Sequence, residues 1–129
     1  MPAAAAIKVM VVDDQPSMRA LAKQTLMSLG FRDIRDCGGG DEALAQLRAQ
    51  PAHVIISDYN MPGMDGLEFL ATVRADPSIG KSVFIMLTGA ADTGVVQKAL
   101  ALKANNFIAK PFTAATLKER IERVIGPLS

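Results

Sequence analysis

A chain of 129 residues is the size of one domain and can bury a core that folds alone. Half of its residues are hydrophobic, 21% are charged, and a net charge of +1 leaves no strongly basic footprint for nucleic acid. Cys37 is the only cysteine, which excludes an internal disulfide, and no apolar run approaches the roughly 20 residues that span a bilayer. The segment Met1-Pro2-Ala3-Ala4-Ala5-Ala6 lacks the basic start of a secretory signal. A cytoplasmic protein with no membrane or nucleic-acid partner is expected.

In chain order, Ile7–Val12 is a nearly continuous apolar run, as expected for a strand covered on both faces. Met18, Leu21, Ala22, Thr25, Leu26 and Leu29 follow with helical spacing, Pro16 suits the first turn, and Gly30 suits a C-cap. Phe31–Arg35 carries charges among apolar residues and reads as an edge strand. After the loop Gly38-Gly39-Gly40 comes a short helix over Asp41–Arg48, with Ala43, Leu44 and Leu47 inward. Val54-Ile55-Ile56 is the most β-prone run and is placed centrally. Gly66–Arg74 is helical and stops at Asp76-Pro77. Val83–Leu87 is a fourth strand, and Asp92–Leu102 a helix with Val96, Ala99 and Leu100 on one face. Phe107–Ala109 is a short fifth strand, followed by a helix over Thr113–Ile125.

Five βα units with short connections argue for an α/β fold, a doubly wound five-stranded parallel sheet with right-handed crossovers. In such a sheet, groups at the carboxyl ends of the strands converge on one edge. Asp13 and Asp14, Asp58, Thr88 and Lys110 all stand just past apolar runs. Singly, each is ordinary: an Asp after a strand is usually a turn residue, a Thr is packing, a Lys is solvated. Together they describe a cation and phosphate site. Crowded carboxylates need neutralising, and Mg2+ takes oxygen ligands. Asp14 and Asp58 are expected to ligate it directly, with Asp13 close by or acting through water. An aspartate can also form an acyl phosphate. Lys110, the Thr88 hydroxyl and backbone N–H groups near Gly89 would then receive the phosphoryl oxygens.

The motifs Val11-Val12-Asp13-Asp14, Ser57-Asp58-Tyr59-Asn60-Met61-Pro62-Gly63-Met64-Asp65-Gly66, Thr88-Gly89 and Lys110-Pro111-Phe112 resemble those of response-regulator receiver domains, specifically the single-domain CheY-like kind. Met18-Arg19 and the run Phe112–Leu117 are similar to chemotaxis-type members. The resemblance covers about residues 7–125. It implies a flavodoxin-like strand order of 2-1-3-4-5 with five helices, in one receiver domain over residues 1–129 with no output domain. It implies that Asp58 is the phosphoacceptor for a histidine kinase or histidine phosphotransfer protein. Asp13 and Asp14 would be the acidic pair for Mg2+, with the backbone carbonyl of Asn60 a further ligand. Thr88 and Lys110 would sense the phosphate, Lys110-Pro111 would be cis, and Phe107 would occupy the aromatic switch position. The implied role is a phosphoacceptor signalling switch rather than an enzyme. Its expected output is a downstream protein target, the flagellar motor switch first, with a phosphorelay intermediate or phosphate sink as the alternative.

Three departures bear on this reading. Phe107 stands where CheY itself has Tyr and offers no hydroxyl. Ala90 offers no polar group to orient water, so slow loss of the phosphoryl group is expected. Lys103 replaces the glycine usual before the fifth strand and is poorly suited to a left-handed cap, so the fourth helix is expected to end differently. His53 reads as a surface or edge residue and Cys37 as a small inert one. Lys118, Glu119, Arg120, Glu122 and Arg123 read as a solvated helix face or part of a docking surface, with Glu119 and Arg123 spaced i,i+4. Two rivals share the Asp chemistry or the fold. A small aspartyl-phosphate phosphohydrolase would need an acid two residues after its nucleophile, where this chain has Asn60. A flavodoxin-like nucleotide carrier would need a phosphate-cradling glycine loop at the first helix, which is absent.

Overall fold

The structure, a computed structural model, describes residues 3–89 and 94–129. Its strands are β1 (Lys8–Val12), β2 (Asp33–Cys37), β3 (Val54–Asp58), β4 (Val83–Thr88) and β5 (Asn106–Ala109), all parallel in the order β2-β1-β3-β4-β5. The helices are α1 (Pro16–Ser28), α2 (Gly40–Ala49), α3 (Gly66–Ala75), α4 (Val95–Ala101) and α5 (Ala114–Ile125). The doubly wound sheet and its central Val54-Ile55-Ile56 strand are as the sequence predicts. Among the described residues no helix is long and apolar enough to cross a membrane.

Side chains alternate across each strand, so the sheet has two cores. On one face Met10, Val12, Ile55, Phe84 and Met86 pack with Leu44 and Leu47 of α2, Phe69, Leu70 and Val73 of α3, and Val95 and Ala99 of α4. Phe69 and Phe84 meet as a tilted aromatic pair, 5.6 Å between centroids. On the other face Val9, Val11, Val54, Ile56, Ile85, Leu87 and Ile108 pack with Ala22 and Leu26 of α1 and Leu117 and Ile121 of α5. Every residue of β3 is buried, whereas the outer strands β2 and β5 are only partly covered.

Several boundaries differ from the sequence reading. The edge strand begins at Asp33, because Phe31 belongs to the end of α1. Gly30 has φ +103°, its N–H donates to the Met27 carbonyl, and the Phe31 N–H donates to the Leu26 carbonyl. That is a Schellman cap, and Phe31 is fully buried in the same core as Leu26. Gly40 is no loop residue but the first of α2, packed against Met64 and Phe69 where a β-carbon would lie 2.7 Å from the Met64 sulfur. Leu21 and Leu100, expected inside, are 46% and 47% exposed. Each helix touches the sheet along a narrower strip than its apolar spacing suggests, centred on Ala22 and Leu26 in α1 and on Val95 and Ala99 in α4. Asp92 and Thr93, expected to open the fourth helix, lie outside the described residues, as does Ala90.

The expectation for Lys103 is corrected. It adopts φ +71°, its N–H donates to the Leu100 carbonyl, and the Ala104 N–H donates to the Ala99 carbonyl. The fourth helix therefore ends in the same cap as the first, with lysine in the glycine position. Arg74 holds the turn: its Nε and Nη2 donate to the Lys103 carbonyl and Nη2 also to Asn105 Oδ1, while Nη1 donates to the carbonyls of Gly80 and Ser82. Those bonds offset a left-handed backbone that costs an L-residue about 1–2 kcal/mol.

Gly66 sets how closely α3 approaches the end of β3. A β-carbon there would lie 2.6 Å from the Asp58 carbonyl oxygen and 2.7 Å from the Tyr59 Cα. The Gly66 N–H donates to the Tyr59 carbonyl at 2.8 Å.

Two substitutions test these constraints by chemical denaturation. Lys103→Gly is expected to raise stability by about 0.5–1 kcal/mol, the relief of left-handed strain less the added freedom of the unfolded chain. Gly66→Ala is expected to lower it by about 1–3 kcal/mol, because backbone rather than a flexible side chain must give way.

Candidate functional site: an acidic cleft at the carboxyl edge of the sheet

The carboxyl ends of β1, β3, β4 and β5 deliver the predicted residues to one place. The backbone ladder runs past the strands: the N–H groups of Asp13, Tyr59 and Lys110 donate to the carbonyls of Cys37, Leu87 and Thr88 at 3.1, 3.0 and 2.8 Å. Residues just beyond the strands are thus fixed by the sheet rather than by loops. Carboxylate oxygens of Asp13, Asp14 and Asp58 lie within 4.8 Å of one another. Asp13 and Asp58 are buried and Asp14 is half-buried. A cleft of about 540 Å3 opens beside them, lined by Asp14, Gln15, Asp58, Asn60, Met61, Pro62, Gly89 and Lys110.

Lys110 bridges the two buried carboxylates. Its Nζ is 3.1 Å from Asp13 Oδ2 and 3.1 Å from Asp58 Oδ1. Burial raises the Asp58 carboxyl above its ordinary value; Lys110 and the Asn60 N–H pull it down without cancelling that effect, and the charge of Asp13 adds to the rise. Burial would lower the Lys110 ammonium, but the hydrogen bonds and charges of Asp13 and Asp58 reverse the sign and hold it up. The ammonium therefore stays charged, and the cluster carries more negative charge than it neutralises. Three close carboxylates are a hard-oxygen donor set, which fits Mg2+.

Thr88 closes β4 and is buried beneath the edge; Gly89, not Thr88, lines the cleft. Phe107 stands apart from the acidic residues. It is half-buried on β5, packs against the core on the α2–α4 face, and carries the Arg120 guanidinium 5.9 Å from its ring centroid. The Lys110-Pro111 bond is cis, as the resemblance implies. Asn60 lines the cleft wall. His53 is exposed, its Nδ1 accepting from the Lys8 N–H at the opposite end of the sheet. Cys37 is buried 3.6 Å from the Met10 sulfur, and burial raises its thiol to about 11, so it is an inert core residue. Glu119 and Arg123 form the predicted i,i+4 pair at 2.6 Å.

Sequence reasoning missed the supports of the cluster. The Gln15 N–H donates to Asp13 Oδ1 at 2.9 Å, and Arg19 Nη1 donates to the Asp13 carbonyl at 2.7 Å. With its N–H on Cys37 and its Oδ2 on Lys110, Asp13 has every polar group engaged. The signal available in the sequence was an arginine placed in the first turns of α1, able to reach back over the helix start.

The raised Asp58 carboxyl has a stability consequence with a definite sign. The folded state holds that proton more tightly than the unfolded chain, so the group favours folding in acid. The advantage is lost as pH rises through the folded value, and ionised Asp58 weakens the fold at neutral pH. Asp58→Asn should therefore melt above the wild type at neutral pH in chelator, and the gap should close in acid. A lower melting point for the variant at neutral pH would show that Lys110 offsets the burial in full.

Comparison with known proteins follows the same lines. The response regulator receiver domain family matches residues 9–122. The chain is 47% identical over 122 residues to a probable chemotaxis protein CheY of Rhizobium etli, covering 95% of each. It superposes on chemotaxis protein CheY4 of Vibrio cholerae with a TM-score of 0.84 and 36% identity, covering 92% of this chain and 98% of that one. The receiver domain of a sensor histidine kinase from Pseudomonas aeruginosa, solved with a magnesium ion coordinated in its active-site cleft, matches with a TM-score of 0.83 and 28% identity over 93% of this chain and 98% of that one. The parallel sheet, the acidic edge and these likenesses agree: the chain belongs to the response-regulator receiver family, as a CheY-like receiver domain.

Proposed function

We propose that this chain is a phosphoacceptor switch in which Asp58 takes a phosphoryl group from the phosphohistidine of a kinase or phosphotransfer protein. The observation that carries this reading is the Lys110 ammonium, 3.1 Å from both Asp13 and Asp58, beside a cleft that Asp58 itself lines. An Asp58 oxygen attacks phosphorus, the P–N bond of the donor breaks, and an acyl phosphate forms as the imidazole leaves. Lys110 holds positive charge against the incoming oxygens, and the wall of Asn60, Met61 and Gly89 positions the group. Asp14 and Asp58 would hold Mg2+ directly, with the Asn60 carbonyl as a further ligand and Asp13 close by or through water. When bound, the ion supplies charge that offsets the crowded carboxylates and the phosphoryl oxygens. The magnesium-bearing Pseudomonas aeruginosa receiver supports that assignment.

The phosphoryl group then biases a two-state domain. Thr88 moves toward it and Phe107 turns inward behind Thr88. The face of α4, β5 and α5 changes its affinity for a protein partner. Chemotaxis, with the flagellar motor switch as target, is the favoured pathway because the Rhizobium etli relative is named for chemotaxis.

Incubation with a small acyl phosphate and Mg2+, followed by intact-mass and peptide analysis, tests the reading. One phosphoryl group is expected on Asp58, none in Asp58→Asn, and none with chelator present. Unlabelled wild-type protein, or label that survives Asp58→Asn, would sink it. Steady turnover of a phosphomonoester would instead mark a hydrolase.

A further inference from the structure

The Arg19 side chain joins the Asp13 backbone to a carboxylate of the edge strand. It lies in the second turn of α1, four residues after the N-cap Gln15. Two different atoms of one guanidinium are committed. Nη1 donates to the Asp13 carbonyl at 2.7 Å, and Nε donates to Asp36 Oδ2 at 3.0 Å. Lys23, one turn further on, donates to the other oxygen, Asp36 Oδ1, at 3.0 Å. Asp36 lies on the edge strand opposite Val11, in the register that also brings Cys37 opposite Val12. Burial would raise its carboxyl, but the hydrogen bonds and charges of Lys23 and Arg19 outweigh that and hold it below its ordinary value. The anchor therefore stays ionised. Edge strand, first helix and the end of β1 are joined through one planar group on a side chain that is 21% exposed.

We propose that Arg19 is a positioning residue for the acidic cluster. By clamping the Asp13 carbonyl to Asp36 it fixes the turn that presents the Asp13 and Asp14 carboxylates, so the Mg2+ affinity of the site depends on it. The proposal rests on the metal reading above and adds a residue to it. The clamp acts on the backbone, so it takes up no carboxylate oxygen of Asp13 or Asp14. A lysine cannot replace it, because a single ammonium on a flexible stem does not reproduce two donors in a rigid plane.

The alternative role, that of a nearby charge, predicts the opposite sign. Removing a cation beside three carboxylates would tighten Mg2+ binding by Coulomb attraction alone. Loss of positioning weakens it, by about tenfold where a supporting hydrogen bond to a ligand residue is removed. Mg2+ alone, titrated by calorimetry into the full chain, distinguishes the two. Arg19→Met and Arg19→Lys are each expected to bind about tenfold more weakly than the wild type. Thermal melts in chelator check that both remain folded. Wild-type affinity in Arg19→Lys, or tighter binding in Arg19→Met, would overturn the proposal. If Arg19→Met does not fold, Arg19→Lys decides alone. Failure of the wild type itself to bind Mg2+ would overturn the metal reading, a result visible before any variant is compared.

Discussion

Three carboxylates within 4.8 Å of one another, with one ammonium bridging two of them, are the constraint on which the rest of this structure depends. Such crowding is unfavourable by itself, since like charges at that spacing resist joint ionisation. It persists because the surrounding sheet over-determines it. The ladder of β1, β3 and β5 continues one residue past the strands and holds Asp13, Tyr59 and Lys110 by backbone hydrogen bonds. Gly66 lets α3 close against the Asp58 backbone, and the Asp65–Glu68 capping box fixes that helix start. The charge imbalance left over is the physical reason a hard cation belongs in the cleft.

The geometry also explains how an event at Asp58 could be felt elsewhere. Thr88 is beneath the edge, paired in register with Ala109, while Phe107 lies two residues back opposite Met86. Phe107 is half-buried, one side against the core and the Arg120 guanidinium of α5 over its ring. The C-terminal end of the short α4 is held by the Lys103 turn and the five donations of Arg74. The substitution of lysine for glycine at position 103 does not loosen that fastening, because Arg74 binds the carbonyl of the strained residue itself.

The parts of the site that were legible in the sequence are those whose position follows from period. Apolar runs of strand length end at Asp13, Asp58, Thr88 and Lys110, and parallel topology brings strand ends together. Helix limits were less legible. Phe31 looked like the start of a strand, yet it closes the Schellman cap of α1, a role set by contact with Leu26 rather than by its neighbours. Leu21 and Leu100 have helical spacing and still face solvent, because each helix seats on the sheet through other residues, Ala22 and Leu26 in α1 and Val95 and Ala99 in α4. The left-handed Lys103 ran against propensity, and its compensation comes from an arginine 29 residues away.

What the sequence determined by itself is the chemical inventory and its convergence: which groups stand at the strand ends, and that a parallel sheet gathers them. Local pattern suffices for this, since strand period, helix period and turn chemistry act over a few residues. Only the tertiary structure decided the pairing. Lys110 meets Asp13 across 97 residues, Arg19 takes the Asp13 carbonyl and Asp36 together, and Thr88 lies under the surface while Gly89 lines the cleft. Those outcomes depend on register, sheet twist and the depth at which each helix seats, quantities set by packing of the whole core and written in no single stretch of the chain.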